Sequence, residues 1–253
     1  GITQLQIDAD LTDKVSTVIN IVNQRDWNSD FGTNQEFDMT LDLAYTQLKE
    51  IFSTPLTLTI GRQDLLSGRG FIVGWNPQDP QGTTQADEFT QIQSFDAIRA
   101  TLDFSPWTID LVYSKISEGS NNPEDDRDLY ISYLTYNFAE YNAVADLYYT
   151  GEFDRRTLAS ATGTNDNSTN TIGGRVQFDP ISQITLGAEL AYQFGDYRGT
   201  VGAPNRDREA MGLDLFGEYR WDTNPWKPMV GLQYVYLSGE SDLSAGSTQS
   251  YSS

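Results

Sequence analysis

The sequence has 253 residues, with 36 acidic against 16 basic side chains, and it contains neither histidine nor cysteine. The missing residue types exclude a Ser-His-Asp triad, thiol chemistry, disulfides and histidine-bearing zinc or haem sites, so we predict no catalytic residue, no metal and no cofactor. The net charge of −20 excludes nucleic acid as a partner, and the mean hydropathy of −0.48 without a long apolar run excludes membrane-spanning helices.

Apolar and polar residues alternate with period 2 along most of the chain, which predicts an all-β protein. Leu5 and Ile7 alternate with glutamine and aspartate, and Leu186 and Leu190 do so in a later segment. We predict twelve strands, at residues 1–11, 15–26, 36–51, 56–63, 95–104, 107–117, 129–138, 143–154, 170–178, 184–196, 209–221 and 229–238. The second and seventh strands alternate poorly, so their facing stays open.

The connections between the predicted strands alternate strictly between short and long. The long ones are rich in Gly, Asn, Asp, Ser and Pro, and they span residues 27–35, 64–94, 118–128, 155–169 and 197–208. This alternation places all tight turns at one end of the sheet and all long loops at the other. It is typical of transmembrane β-barrels, which have short periplasmic turns and longer extracellular loops.

A soluble β-sandwich or β-solenoid is the alternative, since alternation alone does not exclude either. On the clearly alternating strands the apolar positions carry no charged residue, as a lipid-facing surface requires. Aromatic residues also collect beside the short turns, where an interfacial girdle is expected. We therefore predict a transmembrane antiparallel up-and-down β-barrel with an aromatic girdle of Phe104, Trp107, Phe178, Trp221 and Trp226.

The direction of the first predicted strand indicates whether residues 1–253 contain all strands of the barrel. Bacterial barrels begin and end in the periplasm, whereas here the first predicted strand runs into a short turn. Unpaired strand edges cannot face hydrocarbon. We therefore expect residues 1–253 to form a single β-barrel domain that is truncated at both ends, with further strands in the full-length protein or in a partner chain.

One stretch reads Gly61-Arg62-Gln63 followed by Ser67-Gly68-Arg69-Gly70-Phe71 and Trp75, and others lie at residues 7–16, 37–49 and 236–240. These stretches, the first of them most specifically, resemble the alginate-export-type outer-membrane porin family. The resemblance implies an integral protein of a Gram-negative outer membrane, in contact with lipid and lipopolysaccharide. It also implies a barrel of about eighteen strands, of which about six are absent here, and the passage of hydrophilic solutes or polysaccharide.

The polar positions of the clearly alternating strands are predicted to line the lumen. They carry three bases, Arg99, Arg175 and Arg220, and twelve acids, namely Asp8, Asp10, Glu36, Asp38, Asp42, Asp103, Asp110, Asp146, Glu152, Glu189, Asp214 and Glu218. An acidic lumen suits a polyanion poorly, because anion pores use arginine. Either these groups pair across the lumen, or they set the selectivity of the pore, with Arg99, Arg175 and Arg220 as part of a selectivity ladder. We take Asp38, Asp42, Asp103, Asp110, Glu189, Asp214 and Glu218 as the acidic candidates.

Two features at the end of the fourth predicted strand and in the loop after it extend this set. By strict alternation from Ile60, Arg62 points at lipid, and we expect a β-bulge at Gly61 to turn it towards the lumen. The 64–94 connection is too long for a simple hairpin loop and carries apolar residues. We predict that it folds inward as a constriction, with Arg69, Phe71 and Trp75 in it.

Three functions are compatible with the sequence. A passive outer-membrane channel whose selectivity is set by lumen charge is the first. A structural or scaffold barrel that holds a partner protein is the second. An outer-membrane enzyme is the third, and it is disfavoured because barrel hydrolases generally need histidine, although Asp38 and Asp42 form a carboxylate pair.

Overall fold

The computed structural model describes residues 2–24, 39–73, 94–117, 126–155, 167–197, 206–238 and 247–248. Their secondary structure consists of β-strands and two 3-10 turns, at Ile51–Ser53 and Ala139–Tyr141. Among these residues, no helix has the length and apolar character needed to span a membrane. The described part of the chain is therefore all-β, as predicted.

Twelve strands of the described residues match the twelve predicted ones. They are β1 Ile2–Thr12, β2 Val15–Gln24, β3 Thr40–Leu48, β4 Leu56–Asp64, β5 Ser94–Asp103, β6 Trp107–Ser117, β7 Arg127–Phe138, β8 Ala143–Asp154, β9 Asn167–Ile181, β10 Ile184–Tyr197, β11 Arg206–Arg220 and β12 Met229–Leu237. A short additional strand, β13 (Ser247–Thr248), was not expected. The predicted beginning of the third strand, at 36–38, lies outside the described residues.

The strands follow one another in chain order from β1 to β12, which is an up-and-down arrangement. Neighbours pair antiparallel, for example β7 with β8 and β10 with β11, while β13 pairs parallel with β11. The path ends at β1 and at β12, and the described residues contain no pairing that closes it. The antiparallel sheet is confirmed, whereas the closed barrel of about eighteen strands stays a prediction.

The chain divides into two compact units, and each has its own polar face. The N-terminal unit comprises residues 1–101, and the C-terminal unit comprises residues 102–253. In the N-terminal unit, Asn20 and Gln63 are buried while Ile7 and Leu41 are exposed. In the C-terminal unit, the buried polar residues are Ser114, Asp128, Asp146, Thr150, Thr171, Glu189, Gln193 and Asp214.

Burial in both units is inverted relative to a water-soluble protein. Leu190 is 52% exposed, whereas Glu189 beside it in β10 is only 3% exposed. Leaving one large apolar side chain in water costs roughly 1.5–3 kcal/mol, and dozens are exposed here. We call the two surfaces of the strands the apolar face and the polar face. Their burial fits strands that expose the apolar face to lipid, and it is opposite to that of a soluble β-sandwich.

A bulge in β3 changes the predicted facing of two residues. Leu43 pairs with Asn20 and Leu41 pairs with Ile21, so Asp42 is an extra residue opposite β2. Leu43 is buried with Asn20, while Leu41 is exposed. Leu43 and Tyr45 therefore lie on the other face of the sheet from Leu41, although simple alternation places all three on one face. One inserted residue is enough for this reversal because side chains alternate with period 2.

The structure also resolves the facing of β7, which the sequence leaves open. Leu129, Ile131 and Tyr133 are buried, whereas Tyr130 is exposed. The polar face of this strand thus carries large apolar side chains. Their presence explains why period-2 alternation of polarity is weak in this segment of the sequence.

Candidate functional site

The C-terminal unit places four charged side chains in one row across its polar face. Asp146 of β8 pairs with Arg175 of β9, Arg175 pairs with Glu189 of β10, and Glu189 pairs with Asp214 of β11. Directly opposed residues of neighbouring antiparallel strands lie on the same face. We call Asp146, Arg175, Glu189 and Asp214 the charged row.

Hydrogen bonds fix most of the charged row. Arg175 Nη1 donates to Asp146 Oδ2 at 2.7 Å, and its Nη2 donates to Gln177 Oε1. Asp146 Oδ1 accepts from the Thr135 hydroxyl at 2.9 Å. The Gln233 amide nitrogen donates to both carboxylate oxygens of Asp214, at 2.9 and 3.0 Å. The Thr135 and Gln233 bonds orient the carboxyl groups of Asp146 and Asp214, and neither the hydroxyl nor the amide adds a balancing charge.

The charged row has three carboxylates and one guanidinium. Asp146 neutralises Arg175 by their close ion pair, which leaves the charges of Glu189 and Asp214. These two carboxylates are directly opposed on β10 and β11 and are almost fully buried. Like charges in such a pair repel each other, so the row has a field that attracts cations.

Two stacked tyrosines support the row, and simple alternation of polarity does not reveal them. The rings of Tyr133 and Tyr148 are parallel, with centroids 5.6 Å apart, and Tyr148 donates its hydroxyl to Glu189 Oε1 at 2.8 Å. Tyr148 reaches β10 across β9 because its partner there is Gly173. A Cβ on Gly173 would come within 2.4 Å of the Tyr148 ring. The glycine opposite a tyrosine is the sequence signal that identifies this arrangement.

Ion pairs lie near the long loops on both faces of the strands. On the polar face, Arg127 Nε donates to Glu152 Oε1 at 2.7 Å. Lys115, which is opposite Asp128 and so on the face of exposed Tyr130, pairs with Asp126 at 2.7 Å. Arg208 lies over the Tyr197 ring, 5.4 Å from its centroid. In contrast to these pairs, the charged row has three carboxyl groups and only one guanidinium.

The structure separates the other predicted bases. Arg62 pairs with Asp96 at 3.3 Å. It is opposite Ala44 in a continuous β3–β4 register, so the bulge expected at Gly61 is not present in this pairing, although Gly61 has a φ of 120°. Ala44 in turn pairs with Ile19, which is exposed on the apolar face. Arg62 therefore lies on the apolar face, which corrects its placement in the lumen. Arg99 lies in β5 two residues after buried Ala97, so alternation places both on the same face of the strand.

The remaining base and the acidic candidates are dispersed. Arg220 is exposed at the end of β11. Asp42 is buried at the β3 bulge, and Asp110 and Glu218 are half-buried on the polar face. Asp103 is exposed and accepts the backbone N–H of Ser105 at 3.1 Å, so it stabilises a short turn. Asp38 lies outside the described residues.

Only part of the predicted constriction loop is described. Ser67 and Val73 close a turn by a 3.0 Å backbone hydrogen bond, and Leu65 and Val73 are buried. Arg69 is exposed and Phe71 is half-buried in this turn. Trp75 and the rest of the predicted constriction lie outside the described residues, so inward folding of the loop stays a prediction.

All five predicted girdle residues are exposed beside the short turns. Trp107 packs edge-on against Tyr136 at 4.4 Å, and Trp221 packs against Tyr219 at 4.6 Å. The others are Phe104, Phe178 and Trp226. This is the arrangement that an interfacial aromatic belt needs, and its position in a membrane stays a prediction.

Comparison with known proteins agrees with this geometry. The sequence profile described as "Alginate export" matches residues 3–253. Outer-membrane-expressed OmpT of Vibrio cholerae is similar in fold, with a TM-score of 0.56 and 12% identity over 94% of this chain and 67% of that one. The in-vitro folded trimer form of Vibrio cholerae OmpT gives 0.56 and 11% over 94% and 75%. No curated protein matches the sequence.

Proposed function

The chain belongs to the alginate export family and is an integral outer-membrane channel of that type, and from this premise we propose that its polar face lines an aqueous lumen that favours cations. Hydrophilic solutes or polysaccharide cross this lumen passively. One observation supports the proposal above all, namely the inverted burial of polar and apolar side chains in the strands. Such a protein exposes its apolar face to lipid and keeps its polar face for the pore.

The charged row gives the lumen its preference. Because Asp146 neutralises Arg175, the remaining charge of the row is that of Glu189 and Asp214. Rings of carboxylates favour cations in channels, and arginine and lysine favour anions. A polyanion would meet repulsion here, so we propose cations and neutral solutes as the substrates that pass most easily.

Residues 1–253 form one β-barrel domain in this proposal. The sheet path ends at β1 and β12, and each unpaired backbone group in hydrocarbon costs several kcal/mol. Further strands therefore pair with these edges, towards the roughly eighteen strands implied by the family resemblance. They belong to the same protein or to a partner chain. Lipopolysaccharide surrounds the ends with the long loops.

We propose transport rather than catalysis. Asp146 and Asp214 are held in hydrogen bonds by neighbouring side chains, and the chain has no histidine to serve as a base. Asp38 lies outside the described residues, so no geometry supports a catalytic pair with Asp42. The scaffold alternative has no specific observation in its favour.

Reversal potentials in a salt gradient test the proposed selectivity. The wild-type protein in a planar bilayer should conduct with a cation-selective reversal potential. Asp214→Asn should lower the ratio of cation to anion permeability on the order of twofold, because it removes a charge from the row. Asp103→Asn removes the same charge from a short turn and is the matched control. Anion selectivity of the wild-type channel would refute the proposal.

A further inference from the structure

The polar face of the C-terminal unit carries a second group of charged side chains, towards the long loops. The register places Arg127 of β7 directly opposite Asp154 of β8. In β11, alternation places Arg208 on the same face as buried Ala210. We call the charged residues at this end of the polar face the outer zone, and in strands β7 to β11 they are Arg127, Glu152, Asp154, Arg206 and Arg208.

The outer zone has more basic than acidic groups, which is the reverse of the charged row. Arg127 and Glu152 form an ion pair at 2.7 Å and neutralise each other. The other members are the guanidinium groups of Arg206 and Arg208 and the carboxyl group of Asp154. Within the described strands, the polar face is therefore positive at the outer zone, whereas it is negative at the charged row.

An aromatic ring holds one of these guanidinium groups in place. Tyr197 of β10 is directly opposite Arg206, and the guanidinium of Arg208 lies 5.4 Å from the centre of its ring. Directly opposed residues and their diagonal neighbours interact when they share a face of the sheet. The attraction between the cation and the ring thus keeps the charge of Arg208 on the polar face.

Uncharged residues separate the outer zone from the charged row on strands β8 to β11. In β11 they are Gly212 and Ala210, which lie between Asp214 and Arg208. From Asp214 to Arg208 an extended strand covers about 20 Å. The Debye length at physiological ionic strength is about 8 Å, so the two charged regions keep separate fields. On the other three strands the uncharged residues are Tyr148, Thr150, Thr171, Gly173, Ala191 and Gln193.

We propose that the lumen has charges of opposite sign in sequence along its axis and that the channel therefore rectifies, conducting more current at one polarity of the voltage. This inference rests on the proposed channel function. When the side of the short turns is positive, cations enter past the charged row and anions enter past the outer zone, so both accumulate between the two regions. At the opposite polarity each ion must first pass the region that repels it, and the segment between them is depleted.

Current–voltage curves of the full chain in planar bilayers test this inference. In about 0.1 M salt, where the Debye length is about 10 Å, the current with the short-turn side positive should exceed the opposite current on the order of 1.5-fold. In about 1 M salt, where the Debye length is about 3 Å, the two currents should become equal. Ser182→Cys, in the short turn after β9, identifies the orientation of each channel. A bulky maleimide added to one side reacts only there, because the chain has no other cysteine.

Substitutions in the outer zone should remove the asymmetry. Arg208→Gln should bring the two currents closer to equality at low salt, because it takes a positive charge from the outer zone. Arg206→Gln is the second variant, for the case in which Arg208→Gln does not fold. Lys115→Gln is the matched control, since it removes the same charge near the long loops but on the apolar face.

The outcomes separate this inference from the proposed function. Rectification that weakens in Arg208→Gln and Arg206→Gln but not in Lys115→Gln supports the two charged regions. Equal currents in a cation-selective wild type, or a larger current with the long-loop side positive, would overturn the inference and leave the channel function intact. Rectification that stays unchanged in the arginine variants, or weakens equally in all three, overturns it as well. A protein that does not conduct, or that selects anions, refutes the proposed function itself.

Discussion

The polar faces of the two compact units are held by different chemistry. In the N-terminal unit, the Gln63 amide nitrogen donates to the carbonyl oxygens of Thr59, Gly61 and Ala97 at 3.1, 3.2 and 3.0 Å. Asn20 donates to Gln6 at 3.3 Å, and among the described residues of this unit Asp42 is the one buried carboxyl group. In the C-terminal unit, the corresponding groups are the carboxylates and guanidinium of the charged row.

The difference separates structural stabilisation from substrate selection. An amide satisfies neighbouring backbone carbonyls without adding a charge, so it stabilises strands at little electrostatic cost. A buried carboxylate must lose hydration, and its field persists at a distance. In the proposed channel, we infer that the N-terminal unit forms part of the wall and that the charged row of the C-terminal unit sets the ion selectivity.

The largest expected effect comes from removing the buried guanidinium. Arg175→Gln leaves Asp146 without its ionic partner, and the side chains of this pair are 10% and 3% exposed. Loss of one partner from a buried ion pair typically costs about 3–5 kcal/mol of unfolding free energy. We expect a loss near 3 kcal/mol, measured by guanidinium unfolding of the protein in lipid vesicles with tryptophan fluorescence.

Arg62→Gln removes an ion-paired arginine of the N-terminal unit, in this case one on the apolar face. Its partner Asp96 has a side chain that is 65% exposed, so water or a lipid headgroup can replace the guanidinium. The loss should stay below about 1 kcal/mol. Equal losses in the two variants would mean that the units do not differ in this respect.

A smaller effect is expected when the same charge is introduced into each unit. Gln63→Glu replaces an amide nitrogen that donates to three carbonyl oxygens by an oxygen that they repel. We expect a loss of about 2 kcal/mol. Gln177 instead accepts from Arg175, and a glutamate there still accepts. Gln177→Glu should therefore change the unfolding free energy by less than about 0.5 kcal/mol in the same measurement.

The test requires a clear difference between the losses of unfolding free energy in Gln63→Glu and Gln177→Glu. A Gln63→Glu variant as stable as Gln177→Glu would show that the N-terminal unit accepts charge on its polar face. The division between a polar face held mainly by amides and one held by charged groups would then have no energetic basis.

The sequence predicts the strands well because successive side chains of a strand point to opposite faces, and the two faces here differ in polarity. Leu186, Leu190 and Tyr192 alternate with residues of the polar face, and the strand that contains them is observed as predicted. The exception is β3, where Asp42 is inserted and reverses the facing of Leu43. An inserted residue shifts the pattern without leaving a mark in composition, so alternation alone does not reveal it.

The site could be predicted only in part, because pairing between strands is not local. Glu189 and Asp214 are recognisable as lumen candidates, yet their direct opposition depends on the β10–β11 register. Tyr148 reaches Glu189 across an intervening strand, which requires Gly173 at one position. For Arg62, strict alternation from Ile60 indicates the apolar face, and the continuous pairing with Ala44 agrees with that alternation rather than with the bulge expected at Gly61.

The smallest expected effect comes from an ion pair that is similar in length but lies in water. Lys14 Nζ is 2.8 Å from Glu50 Oε2 beside a short turn, and both side chains are more than half exposed. The Lys14 ammonium lowers the pKa of Glu50 by its hydrogen bond and its charge. A lowered carboxyl pKa stabilises the fold above the unfolded value of about 4.3, and this contribution is lost as the pH falls through the folded value.

Lys14→Gln should therefore reduce the unfolding free energy slightly at pH 7 and not at all at a pH low enough to protonate Glu50 in the folded protein. Unfolding midpoints at the two pH values measure this, with Lys49→Gln on the same turn as the control. The Lys14–Glu50 and Arg175–Asp146 distances are 2.8 and 2.7 Å. If Lys14→Gln were as damaging as Arg175→Gln, distance rather than burial would set the strength of these pairs. A much smaller loss means that burial of the Arg175–Asp146 pair, rather than its distance, makes it important for stability.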